Sequence, residues 1–200
     1  MKTYSINNAG TLCQDLNRML SDDINRLVNQ TRFIWGDYSE NLCNKFVKNN
    51  EFRDLPIFKK LIENKIYIGS AFIDYVKPNC PRAMFNVNPI TNLPNDAVMI
   101  IPLHIPTSKI DDSMYVFFNQ EYLEMYNEIH DIMLVTETFE ALGQELTESQ
   151  SVLKENVPLI IKSPGVWAGL SNVSSDDYLI SLRISFAHNP SFDSVISSFN

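Results

Sequence analysis

The sequence has little positive charge. Its 16 Lys and Arg residues stand against 24 Asp and Glu residues, so the 200-residue chain has a net charge of -8. The basic residues are scattered along the chain, whereas a protein that binds DNA or RNA concentrates them in a patch that contacts phosphates. We therefore expect no nucleic-acid partner.

Long apolar runs and a cysteine framework are absent as well. No run approaches the roughly 20 apolar residues that cross a bilayer, and the opening residues MKTYSINNAG lack the apolar segment of a signal peptide. Cys13, Cys43 and Cys80 are widely spaced and odd in number, which favours reduced, packing thiols over disulfides or a zinc cluster. These absences predict a cytoplasmic protein without a membrane partner.

The motifs that usually mark a catalytic site are also missing. The chain contains no Gly-x-Ser-x-Gly elbow, P-loop, Cys-x-x-Cys pair or His-Glu-x-x-His sequence. None of the histidines begins a His-x-Asp or His-x-Glu motif; they are His104, His130 and His188. We interpret His104 as a partly buried residue that is hydrogen-bonded at the end of a strand. The pairs Asp111-Asp112 and Asp176-Asp177 are interpreted as turn residues.

What the sequence does contain is a change of apolar period near residue 66. In residues 10 to 50 apolar side chains recur every three or four positions, as in an amphipathic helix, and residues 55 to 65 predict a further short helix with Pro56 in its first turn. From residue 66 onward, short runs of β-branched and aromatic residues alternate with turn residues. Helices followed by many short strands predict an α+β fold with a jelly roll backed by N-terminal helices.

No linker, repeat or low-complexity segment interrupts the chain, so we expect residues 1 to 200 to form a single domain. Within it, residues 1 to 65 are predicted to be mainly helical and residues 66 to 186 to form the jelly-roll core. Residues 187 to 200 are rich in Ser and are predicted to form a C-terminal tail on the surface.

The core resembles a known family in four stretches: AVMIIPLHI, SMYVFFN, VPLIIKSPGVWAGLSN and YLISLRISF. Together they are similar to the double-stranded β-helix, a cupin-like jelly roll, of the iron(II) and 2-oxoglutarate dependent oxygenases, in particular small bacterial and phage-borne members. The resemblance covers about three-fifths of the chain. It implies a metal site formed by two histidines and a carboxylate, which leave open positions on iron(II) for 2-oxoglutarate and oxygen.

The residues at the matching positions are not those ligands. The His-x-Asp position falls on Asn86 and Asn88, and the second histidine falls on Trp167, whose indole is a donor only. The arginine that binds the co-substrate, about ten residues further on, falls at Asp177 or Tyr178, and we take Tyr178 as the degenerate co-substrate position. Arg183 is five positions past Tyr178 and should face the opposite side of the sheet, so we interpret it as a structural or surface arginine.

The resemblance and the missing ligands together suggest a catalytically inactive, oxygenase-like jelly roll without metal or cofactor, which acts as a structural or assembly component. A phage virion is one such assembly, and the protein would then lie in the host cytoplasm or in the virion. Its partners would be proteins, in a homo-oligomer or a larger particle. Because aromatic and Met residues are enriched at interfaces, the interface candidates are Tyr115, Tyr122, Met125, Tyr126, Phe192 and Phe199.

Two alternatives remain open. The first is an active iron(II) and 2-oxoglutarate dependent dioxygenase that hydroxylates a protein or a small molecule, in which His104 with Asp111 or Asp112 replaces the missing ligands. The second is a metal-free module that binds a small molecule at the barrel mouth, lined by Phe85, Trp167 and Tyr178.

Overall fold

The computed structural model describes residues 2–29, 37–78, 80–86, 95–105, 114–118, 150–162, 167–172 and 176–200. The N-terminal part contains strand β1 (Lys2–Ser5), helices α1 (Leu12–Met19) and α2 (Ser21–Asn29), strand β2 (Asp37–Asn41), and helices α3 (Cys43–Lys48), α4 (Asn50–Asp54) and α5 (Pro56–Glu63). The strands that follow are β3 (Ile68–Val76), β4 (Cys80–Asn86), β5 (Asn95–His104), β6 (Met114–Phe118), β7 (Gln150–Val152), β8 (Leu159–Lys162), β9 (Trp167–Asn172) and β10 (Leu179–Ala187). Helix α6 (Phe192–Ser197) ends the chain.

The strands form two antiparallel sheets. In the described part of the chain the first sheet has the order β1-β8-β5-β10-β3-β2 and the second has the order β4-β9-β6-β7. From β3 onward the chain passes between the two sheets at each connection, except that β6 and β7 are neighbours in the second sheet. This connectivity is a double-stranded β-helix, so the predicted α+β fold with a jelly-roll core is confirmed.

The helices form where the apolar period of three to four predicted them. The predicted stripe is divided between α1 and α2 at Leu20, and its residues Leu12, Leu16 and Leu27 are buried. Helix α5 begins at Pro56, which is tolerated there because the first turn needs no backbone donor. In the described residues no helix is long and apolar enough to span a membrane.

Strands β1 and β2 were not predicted. Their sequences, KTYS and DYSEN, are polar and show no apolar alternation. They take their extended conformation from pairing: β1 lies along β8 and β2 lies along β3, at the two ends of the first sheet. Residues before position 66 therefore contribute to the jelly roll as well as to the helices.

The two faces of the first sheet differ in what they contact. In β10 the residues Ile180, Leu182, Ile184 and Phe186 are fully buried in one core with the helices. The alternate residues of the strand point the other way, because side chains in a strand alternate between faces. One face of this sheet is thus the face that the helices cover, which we call the helix side.

The opposite face is also buried. Val76, Ile100 and Leu159 are at most 5% exposed, yet they do not belong to the helix-side core. Strand β9 of the second sheet contacts β3 of the first. The second sheet therefore lies over this face, which forms one wall of the barrel interior.

The C-terminal residues do not form a surface tail. Helix α6 places Phe192, Val195 and Ile196 in the core, and the Phe192 ring lies 5.4 Å from that of Phe186. The spacing Phe192, Val195, Ile196 is the helical period, which the Ser-rich composition obscures. The tail prediction is wrong, and so is the prediction of Phe192 as an interface residue, because its side chain is fully buried within the chain.

We expect Phe192→Ala to lower the free energy of unfolding by about 3 to 5 kcal/mol, since a fully buried aromatic side chain is removed from a packed core. Ser194→Ala, at an exposed position of the same helix, is the control and should change stability by no more than about 0.5 kcal/mol. Urea unfolding curves measure both. Equal midpoints for the two variants would contradict the buried position of α6.

Candidate functional site

A group of polar side chains lies on the interior face of the first sheet. The ladder between β3 and β10 pairs Ser70 with Ser185 and Asp74 with Ser181. Arg183 lies between these pairs, opposite Phe72. Asp74, Ser181 and Ser185 are each at most 3% exposed, so this is a polar cluster inside the protein. We call these residues the interior polar cluster: Ser70, Asp74, Ser181, Arg183 and Ser185.

The strongest contact in the cluster joins Arg183 to Asp74. The Arg183 Nε donates to Asp74 Oδ2 at 2.8 Å, and Nη2 donates to Oδ1 at 3.0 Å. Only 11% of the arginine side chain and 4% of the aspartate side chain are exposed. Two parallel charge-assisted hydrogen bonds fix both the distance and the plane of the pair. The two residues reach each other diagonally across neighbouring strands, as long side chains can.

Neighbouring groups hold the pair in place. The Arg183 guanidinium carbon lies 4.9 Å from the centroid of the Phe72 ring, within cation–π distance. The hydroxyls of Ser70 and Ser185 form a hydrogen bond of 2.6 Å beside it. A guanidinium next to hydroxyls is suited to binding a carboxylate, and in this protein the carboxylate is that of Asp74.

The two strand ends predicted to carry metal ligands meet in the second sheet. Asn86, the last residue of β4, is the direct partner of Trp167, the first residue of β9, and Trp167 is also paired with Phe118 of β6. Partner Cα atoms in an antiparallel ladder are about 4.5 to 5.5 Å apart. The backbone therefore brings these two positions together across 81 residues of sequence. Asn88 and the side chain of Trp167 lie outside the described part of the chain.

His104 is partly exposed and hydrogen-bonded at the end of β5, as predicted. Its Nε2 lies 2.9 Å from Asp177 Oδ1, and its ring lies 4.7 Å from that of Tyr178. Asp177 also accepts the Tyr178 backbone N–H at 2.8 Å, as an aspartate in a turn does, and its contact with His104 is additional to that role. No sequence pattern indicated the contact between His104 and Asp177, which are 73 residues apart. Asp111 and Asp112, the proposed metal partners of His104, lie outside the described residues.

Tyr178 and Arg183 lie on opposite faces of the first sheet, as predicted. Arg183 lies on the interior face, and Tyr178 lies on the helix side. Tyr178 packs against the helix-side core, with its ring 5.6 Å from that of Tyr75. The assignment of the co-substrate position to Tyr178 is therefore wrong, because a residue on the helix side cannot contact a ligand inside the barrel. The error arose from counting residues through the turn between β9 and β10, since a count through a turn does not fix which face a residue takes.

Cys13 has the packing role that was predicted. It is 5% exposed, and burial raises the pKa of its thiol to about 11, so it is protonated and unreactive at neutral pH. It lines a cavity of about 260 Å³ together with Asn17 and His104. This cavity lies between α1 and the end of β5, on the helix side, and is separate from the interior polar cluster.

The remaining candidates are only partly described. Tyr115 is paired with Leu170 in the second sheet, whereas Tyr122, Met125 and Tyr126 lie outside the described residues. Phe199 is partly buried and lies 5.1 Å from the Lys60 ammonium. Within the described residues, no three His, Cys, Asp or Glu side chains are close enough to hold a metal ion.

Comparison with known proteins supports the fold. No protein-family model matches the chain, and no curated protein matches it in sequence. The solved structures that match include SnoN, a non-haem α-ketoglutarate dependent epimerase from nogalamycin biosynthesis, with a TM-score of 0.54 at 8% identity over 97% of this chain and 83% of that one.

Two further structures give the same result. SnoK, a non-haem α-ketoglutarate dependent carbocyclase from nogalamycin biosynthesis, has a TM-score of 0.54 at 12% identity, over 92% of this chain and 79% of its own. HygX from Streptomyces hygroscopicus, with nickel and 2-oxoglutarate bound, has a TM-score of 0.51 at 7% identity. The match covers 94% of this chain and 83% of the HygX chain. At these identities the likeness shows the shared fold alone. The chain thus has the double-stranded β-helix fold of the 2-oxoglutarate dependent oxygenases.

We expect Arg183→Ala to lower the free energy of unfolding by about 3 to 5 kcal/mol, because it leaves the buried Asp74 carboxylate without its principal cation. Adding Asp74→Ala should recover part of that loss, and the double-mutant cycle should give a coupling energy between the two sites. Chemical denaturation of the four proteins measures it.

The pair between Arg18 and Asp15 provides the matched control. Its arginine side chain is 78% exposed, so Arg18→Ala should change stability by no more than about 1 kcal/mol. A zero coupling energy at Arg183 and Asp74, equal to that of the exposed pair, would contradict the buried geometry.

Proposed function

We propose that this protein is a catalytically inactive member of the oxygenase-like jelly rolls, which acts through binding as a structural or assembly component. The observation that carries the proposal is the pairing of Asn86 with Trp167 at the ends of β4 and β9. These are the strand ends where the resemblance implies two of the iron ligands. Since fold does not determine function, such a barrel remains stable when its site residues change.

The residue types at these positions do not fit iron(II). An indole N–H is a donor without a free lone pair, so Trp167 cannot ligate a metal. A carboxamide such as that of Asn86 offers only a neutral oxygen, whereas the facial triad requires two imidazoles and a carboxylate. Chemistry at iron is therefore not part of the proposed function.

The interior arginine does not fit a free co-substrate site either. Arg183 is the kind of residue that binds the distal carboxylate of a dicarboxylic acid, but its Nε and Nη2 already donate to Asp74. A ligand carboxylate would have to displace a bidentate contact that the fold holds in place. This contact is independent of the metal positions and supports the same proposal.

Association with protein partners is the second part of the proposal. Among the residues that the structure describes, the first sheet ends in the short strands β1 and β2, and a sheet edge can pair with another chain. A homo-oligomer or a larger particle, such as a phage virion, would use such edges together with the aromatic residues Tyr115, Tyr122, Tyr126 and Phe199. Met125 is a further candidate for such an interface.

We expect the purified protein to contain less than stoichiometric iron, manganese or zinc, and to form no succinate from 2-oxoglutarate when iron(II) is supplied. The informative variant is Asn86→His/Asn88→Asp/Trp167→His, which restores the ligand types at the three positions and should gain metal. Elemental analysis and succinate assays measure both proteins. One equivalent of metal in the wild type, lost in His104→Ala, would overturn the assignment of the metal positions, and succinate formation would favour the active dioxygenase instead.

We expect light scattering at micromolar concentration to give a mass above that of one 22.9 kDa chain, either alone or with the products of neighbouring genes. A Tyr122→Ser/Tyr126→Ser variant should shift the mass towards the monomer if these aromatic residues form the interface. Tyr67→Ser, at a tyrosine 63% exposed in the folded chain, is the matched control. A strict monomer that recruits no partner would contradict the assembly role.

A further inference from the structure

We infer that Asp74 acts as a built-in ligand of Arg183, and that its carboxylate closes a binding site for the carboxylate of a small dicarboxylic acid inside the barrel. The inference rests on the proposed function, because an enzyme of this fold would need the arginine for its co-substrate. It goes further by naming the residue that closes the site and the change that would open it.

The geometry of the contact is that of ligand recognition. Asp74 takes Nε and Nη2 together, at 2.8 and 3.0 Å, which is the edge of a guanidinium that an external carboxylate would take in bidentate form. The guanidinium carbon lies 4.9 Å from the centroid of the Phe72 ring, within cation–π distance. The arginine is therefore preorganised for a carboxylate in this orientation.

The surroundings are those of a polar site within an apolar wall. Ser181 lies directly opposite Asp74 in the ladder, and Ser185 follows Arg183 on the same face. Both serines are at most 3% exposed, and Ser185 shares a hydrogen bond with Ser70. These hydroxyls share the face of the sheet that carries the guanidinium, so they would be the polar neighbours of a carboxylate bound to Arg183.

Stability alone is a weak reason for this pair. Other residues on the same face, Val76, Ile100 and Leu179, are apolar and buried, so an apolar pair would fit the wall. A buried ion pair is often no more stabilising than apolar residues of similar volume, because both charges lose their hydration. The pair keeps the Arg183 cation inside the barrel, with its charge balanced by the Asp74 carboxylate.

Competition favours the internal carboxylate. Asp74 is fixed on the strand next to Arg183, so its effective concentration exceeds the roughly millimolar value of flexibly tethered groups. A free dicarboxylate at micromolar concentration cannot displace it. Removing the charge of Asp74 leaves the guanidinium available and should create a site for an external carboxylate.

The test compares 2-oxoglutarate binding to the wild type, Asp74→Asn and Asp74→Ala, by calorimetry and by the shift in unfolding midpoint. We expect the neutral variants to bind at least about tenfold more tightly than the wild type, since the internal competitor is gone. Asp74→Ala/Arg183→Met should lose that gain. Succinate and malonate, in parallel titrations, show whether one carboxylate or the whole dicarboxylate is recognised.

Asp23→Ala is the matched control. Asp23 is also a buried carboxylate, bound by Lys45 and Arg26, but it lies on α2 outside the barrel. Its removal should leave 2-oxoglutarate binding unchanged. An equal gain in Asp23→Ala would mean that any released cation attracts the anion, and would overturn the inference.

Two other results would overturn it. One is wild-type affinity equal to that of the Asp74 variants. The other is failure of both variants to fold when refolded with millimolar 2-oxoglutarate, because a ligand that fills the opened site stabilises the folded state. These outcomes are distinct from those that test the proposed function, which are the metal content, succinate formation and oligomeric state of the wild type.

Discussion

The central constraint on this protein is that the first sheet is buried on both faces. Strand β10 lies between β5 and β3, and its residues from Leu179 to Phe186 are buried apart from the partly exposed Arg183. Such a strand needs a cover on each side. The helices and α6 supply one cover, with Phe186 and Phe192 in contact, and the second sheet supplies the other. The layered architecture follows from this requirement.

The same constraint explains the interior polar cluster. A charged group that is placed in a strand covered on both faces must find a partner inside the protein, because water is excluded. Arg183 finds Asp74 on the adjacent strand, and Ser185 finds Ser70. A guanidinium is suited to binding a carboxylate through two parallel hydrogen bonds. In this protein the carboxylate belongs to the chain itself, and that contact links the packing of the sheet to the proposed loss of catalysis.

Much of the fold could be predicted from local pattern. The runs that became β3, β5, β8 and β10 are rich in β-branched residues and bounded by turn residues, and the apolar stripe of α1 and α2 has a clear helical period. Strands β1 and β2 escaped prediction because polar segments become strands only when a neighbour offers its free edge. Helix α6 escaped because composition was weighted above period.

For the candidate site the limits were different. The pairing of Asn86 with Trp167 could be anticipated from the resemblance, since it depends on matching strand to strand. The face of the sheet on which Tyr178 lies could not be anticipated, because counting residues between β9 and β10 does not fix which face a residue takes.

The sequence by itself determined the helices of the N-terminal part, the main apolar strands, the jelly-roll class, and the identity of the residues at the strand ends. These properties depend on local apolar period, turn residues and residue chemistry, all of which act over a few positions. Only the tertiary structure decided that Asp74 binds Arg183, 109 residues away, and that His104 binds Asp177. Contacts of this kind depend on sheet register and on which face is covered, and both are set by packing across the whole chain.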